Sequence, residues 1–117
     1  MQILNLTQHK GSPEQIKAGL VEPPDEEKRV IQKLLTFDNP PNSHEIWERA
    51  RKIANMCPAK CVAAMIGGAP FLMSCLEVAL INKQIRPLYA FTKRVVTEKA
   101  GVKTSVFKHV KFIGVGL

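Results

Sequence analysis

Acidic residues are scarce in the second half of this 117-residue chain. Residues 60–117 hold Glu77 and Glu98 against nine lysines and arginines, whereas residues 1–59 hold eight residues of each sign. The whole formal charge of +7 therefore lies from Lys60 onward. So few acids leave paired catalytic carboxylates without support there. A one-sided positive field attracts polyanions such as nucleic acid or phosphorylated ligands. The plainer reading is a solubilising lysine surface.

Long apolar runs are also missing. The longest uncharged run, Cys61–Leu76, is too short for a bilayer and is broken by Gly67-Gly68-Ala69-Pro70, so no membrane span is expected. Met1 leads straight into Gln2-Ile3-Leu4-Asn5-Leu6 rather than a basic segment and an apolar core, so no signal peptide is read. The three cysteines are an odd number, which fits a reducing cytoplasm better than a disulfide framework. Cys57 and Cys61 have no second Cys or His pair spaced to complete a metal site. Neither G-x-G-x-x-G nor a Walker lysine is present, which removes the standard dinucleotide and P-loop readings. No metal or cofactor is expected.

What is present reads as one α/β domain over residues 1–117, with no internal repeat. An opening strand runs from Gln2 to Leu6 or Thr7. Ser12-Pro13-Glu14-Gln15 is a helix start with a capping box, and Ile16 and Leu20 are expected on one face of that helix. After Pro23-Pro24, Asp25-Glu26-Glu27 begin a second helix with Val30, Ile31, Leu34 and Leu35 as its buried stripe. Ser43 is read as the cap of a third helix whose stripe is Ile46, Trp47, Ala50, Ile53 and Ala54. An apolar strand, Cys61–Ile66, then a Gly67-Gly68 turn, a helix from Pro70 to about Lys83 and a strand Pro87–Phe91 form a parallel β-α-β unit. Arg94–Thr97 and Ser105–Ile113 read as a terminal antiparallel hairpin. The order predicts a small Rossmann-like three-layer sandwich with a mainly parallel sheet. The nearly all-apolar helix 70–83 packs either on its neighbours or on a second copy, and a homodimer is expected.

Ligands of such sheets collect at the carboxyl rim of the parallel strands. Thr7, Gln8 and His9 follow the first strand, Gly67 and Gly68 the second, and Thr92, Lys93 and Arg94 the third. Glycines allow close backbone approach, and a helix N-terminus favours an anion. The same glycines could serve the turn alone. His9 is the candidate acid–base group, because histidine titrates near neutral pH. Its alternative is an ordinary surface histidine. Lys93 or Arg94 could clamp a phosphate, although adjacent strand residues face opposite ways. Otherwise the two mark a solvated strand end. His44 and His109 are given no role.

The run Ile3–His9 with Ser12–Gln15, together with Gly67–Met73 and Arg86–Arg94, resembles a group of small, largely uncharacterised bacterial and prophage proteins. A more distant likeness is to CRISPR-associated Rossmann-fold (CARF) domains and small ring nucleases. That likeness implies a dimer that binds cyclic oligoadenylate at the rim, with Thr7, Gln8, His9, Thr92, Lys93 and Arg94 in comparable places. The expected function is binding of a nucleotide or cyclic oligonucleotide, with metal-independent phosphodiester cleavage of ring-nuclease type. The alternative is a non-enzymatic module of a mobile element, whose basic hairpin binds nucleic acid or an acidic partner.

Overall fold

The computed structural model describes residues 2–116. The elements are β1 (Ile3–Asn5), α1 (Pro13–Lys17), β2 (Leu20–Val21), α2 (Asp25–Leu35), α3 (Ser43–Asn55), β3 (Ala63–Met65), α4 (Pro70–Asn82), β4 (Arg86–Lys99) and β5 (Val102–Gly114). They form an α/β fold on one five-stranded mixed sheet of order β2-β1-β3-β4-β5. β2, β1, β3 and β4 pair in parallel, and β5 returns antiparallel to β4.

Strand alternation splits the core between the two faces of the sheet. Leu4, Leu6, Ala64, Ile66 and Tyr89 face α2, α3 and α4, where Ile31, Leu35, Ile53, Leu72, Leu76 and Leu80 complete the larger cluster. Ile3, Leu20, Ala63, Met65 and Leu88 face the other way, with Ala90 and Phe112 of the hairpin packed against them. That third layer is slight: α1 spans only five residues, and the sheet curls into a half-barrel.

Local chemistry explains several boundaries. Ser12 and Gln15 cap α1 reciprocally, as their spacing predicts. α1 stops at Lys17, however, and Leu20 lies not on that helix but in β2. Gly19 turns the chain at φ 112°, and its carbonyl accepts from the Ile3 amide. A two-residue strand has no period to read, so β2 exists through its pairing with β1.

α3 is capped by Asn42, whose side chain accepts from the Glu45 amide, one residue before the expected Ser43. Val30 is exposed rather than part of the buried stripe, and Trp47 is only partly buried, with the Arg51 guanidinium 5.8 Å from its ring. Arg49 of α3 turns toward the end of α2. Its Nη1 reaches the Leu34 and Thr36 carbonyls at 3.2 and 2.6 Å, and so caps the end of α2.

The third parallel strand and the first hairpin arm are one continuous strand, β4. Thr92, Lys93 and Arg94 therefore sit within a ribbon, not in a loop after a strand.

Candidate functional site

The strand order contains a reversal. From β1 the chain moves outward to β2, then crosses back to β3 on the other side of β1. Between β1 and β3 the connections leave in opposite directions, which opens a crevice beyond their carboxyl ends. A cavity of about 610 Å³ lies there. Its walls include Thr7, Gln8, His9 and Lys10 from the loop after β1 and Gly67, Gly68 and Ala69 from the turn after β3. Leu35, Tyr89 and Ala90 complete its sides.

The β3–α4 turn offers donors to the cavity. Ala69 occupies the N-cap position of α4 without a side-chain hydrogen bond, and Pro70 follows at the first helical position. The amides of Gly67, Gly68 and Ala69 make no hydrogen bond among the described residues. Such N–H groups at a helix start attract anions. Gly68 has φ 154°, a conformation side chains rarely adopt. Gly67 is less constrained, because an added Cβ would stand 3.6 Å from Thr7 Cγ2 in ordinary contact.

The β1–α1 loop is held from below by a polar network inside an apolar setting. Asn5 is fully buried. Its Oδ1 accepts from the Thr7 amide at 2.9 Å and the Thr7 hydroxyl at 2.7 Å. Its Nδ2 donates to the His9 carbonyl at 2.8 Å and to Glu22 at 2.9 Å. Lys28 Nζ donates to the Thr7 and His9 carbonyls and to Glu22 Oε1, at 2.8, 3.0 and 3.2 Å. The Gly11 amide closes the loop on Glu22 Oε2 at 2.7 Å. Burial pushes the Glu22 carboxyl up, but the bonds from Asn5, Gly11 and Lys28 together outweigh it and hold the group below the usual carboxylate range.

The network divides the loop's labour. The Thr7 hydroxyl donates inward to Asn5, so it staples the loop and offers a ligand only its lone pairs. The His9 carbonyl is gripped while the residue itself is exposed at the cavity. Gln8 is clasped to α2: its carbonyl accepts from Gln32 and its Nε2 donates to the Thr36 hydroxyl. Tyr89 gives the cavity a wall rather than a proton. Its hydroxyl donates to Glu77 at 2.6 Å, and burial first, then that carboxylate, pushes its pKa up.

A family model, the Uncharacterized protein MJ1673 family, matches residues 1–113. The chain belongs to the MJ1673 family. No curated protein and no solved structure matches it.

In this MJ1673-family chain the sequence-derived candidates fall into two groups. Thr7, Gln8, His9, Gly67 and Gly68 border one cavity. Thr92, Lys93 and Arg94 are not among its walls. They lie on β4 beyond the rim, paired with His109, Lys108 and Phe107 of β5. Arg94 is turned to the hairpin itself, with Nε and Nη2 donating to Ser105 Oγ at 3.1 and 2.9 Å. His44 is exposed on α3, and the His109 ring packs at a tilt against Phe112, with centroids 4.5 Å apart.

Asn5, Lys10, Glu22 and Lys28 were not singled out from the sequence. Asn5 carried a usable signal: a polar residue at an inward position of a buried strand demands partners. Glu22 directly follows β2 and Lys28 lies on α2, so only the fold brings them to Asn5. No three His, Cys, Asp or Glu side chains are grouped for a metal among the described residues. No helix there is long and apolar enough to cross a membrane.

Proposed function

We propose that the cavity between β1 and β3 binds a phosphorylated ligand, a nucleotide or cyclic oligonucleotide. The reading rests on one observation: the Gly67–Gly68 turn, whose amides bond none of the described residues at an uncapped helix start, lines the same crevice as His9 and Lys10. The amides and Lys10 would hold phosphate oxygens, since fixed donors and a cation both favour an anion. The CARF and ring-nuclease likeness belongs to this reading.

In the cleavage that this arrangement suits, a ribose 2′-oxygen attacks the adjacent phosphorus and the P–O5′ bond breaks. A 2′,3′-cyclic phosphate forms. His9 takes the 2′-hydroxyl proton, water protonates the departing 5′-oxygen, and the Gly67 and Gly68 amides stabilise charge on the phosphoryl oxygens.

The reading includes a homodimer. Phe71 and Val78 of α4, seven residues apart on one side of the helix, are 46% and 43% exposed. Solution scattering or sedimentation gives the mass directly.

The test of the ligand is a melting screen of nucleotides, linear dinucleotides and cyclic oligoadenylates, because a ligand selective for the native state raises Tm. A hit should be followed by turnover assays on the wild type and His9→Ala. Loss of cleavage with retained binding is the expected result. A folded protein unmoved by every phosphorylated compound would remove the reading and favour the interaction module, for which the separate basic hairpin is the supporting observation.

A further inference from the structure

The hairpin carries chemistry that the cavity does not use. β4 runs parallel to β1 and β3, so its course past Ala90 continues outward from the rim where the cavity opens. Phe91–Lys99 adds about 30 Å of ribbon at ~3.3 Å per residue. Alternation along β4 puts Tyr89, Phe91 and Lys93 on one face, and the register, shifted by one β5 residue at an irregularity between Phe91 and Thr92, sets Lys111 opposite Phe91 and Lys108 opposite Lys93. Tyr89 is a wall of the cavity, so this face is continuous with it. Phe91 is 53% exposed, and the three lysines are exposed.

Like charges directly opposite on a sheet repel. Among the described residues, none of these lysines has a carboxylate within ion-pair distance. The repulsion between Lys93 and Lys108 is therefore not offset by an ion pair among the described residues, and an anion bound between them would relieve it. An exposed ring among cations is the composition that grips single strands, with a base on the ring and phosphates on the cations. An acidic protein surface would satisfy the lysines but leave Phe91 without a flat partner. A second copy meeting this face about a two-fold axis would set lysine against lysine.

We propose that the face formed by Phe91, Lys93, Lys108 and Lys111 is a track for a single-stranded oligonucleotide leading away from the cavity. It rests on the phosphate reading of the cavity for the point where the strand begins. It also extends that reading: the ligand spans several nucleotides, one phosphate at the Gly67–Gly68 turn and the next ones along the lysines.

The experiment measures binding of a fluorescently labelled single-stranded hexaadenylate by anisotropy from 50 to 200 mM salt. Each neutralised single-strand phosphate contributes a slope of about 0.7 in log affinity against log salt. Lys93→Gln with Lys108→Gln should lower the slope by about 1.4, so the wild type loses about seven-fold more affinity than the double variant across that range. Phe91→Ala should weaken binding about ten-fold and leave the slope unchanged. All three positions are exposed, and melting curves confirm that the variants fold.

An unchanged slope in the double variant, or no hexanucleotide binding by the wild type, overturns the track. A change of oligomeric state in Phe91→Ala overturns it too and makes the face an interface between copies. Adenosine monophosphate, tested by melting on the wild type, separates the two readings. A mononucleotide shift without a slope change removes the track and keeps the cavity reading. The reverse result keeps the basic track and removes the cavity as its starting point.

Discussion

Replacing Asn5 by alanine probes the device that shapes the candidate site. The side chain is fully buried and accepts from the Thr7 amide while donating to the His9 carbonyl and Glu22. Without it the Thr7 amide loses its partner, while the His9 carbonyl keeps Lys28 and Glu22 keeps Gly11 and Lys28. A donor left unpaired costs ~1–3 kcal/mol when buried and less at the part-buried Thr7 amide, and the volume vacated by the fully buried Asn5 side chain adds to that. The expected loss is about 2–4 kcal/mol. For a domain of this size ~4 °C of Tm accompanies each kcal/mol, so Tm should fall by roughly 8–16 °C. Thermal unfolding gives that number, and amide exchange locates it: the Thr7 and Gly11 amides should lose protection ahead of the α4 core. A loss below about 0.5 kcal/mol, with both amides as protected as before, would refute the claim that this network sets the loop.

Three further outcomes follow from the same geometry. Gly68→Val should cost about 1–3 kcal/mol through its strained backbone, and Gly67→Ala should cost less; equal costs in urea melts would remove the distinction. The Glu22 carboxyl is held below its ordinary value, so its contribution is complete above the unfolded pKa near 4.5 and is lost as pH falls through the lower folded value. Glu22→Gln should therefore flatten the loss of stability on acidification below about pH 4.5, and an unchanged acid slope would contradict it. Burial, then the neighbouring Cys61, pushes the Cys57 thiol up to about 12, so iodoacetamide at pH 8 should modify Cys57 more slowly than a free thiol, and a normal rate would contradict that environment.

The amino-acid sequence by itself determined the elements whose causes are local. The Ser12–Gln15 capping box starts α1, Pro70 starts α4, and the strand–Gly-Gly–helix–strand run makes the parallel unit. It also placed the two loops that border the cavity, because the rim rule needs only strand–helix alternation. What it could not supply is whatever depends on which strand lies beside which. β2 is two residues long and exists by pairing, and the reversal between β1 and β3 that opens the crevice is a property of strand order alone. β4 ran past its expected end at Phe91 because β5 pairs with it along its whole outer length, which carried Thr92, Lys93 and Arg94 off the rim and onto a ribbon. Asn5, Glu22 and Lys28 lie far apart in the chain, and a hydrogen-bond network among them appears only when β1, β2 and α2 have packed, since a buried polar group finds its partners in space and not along the sequence.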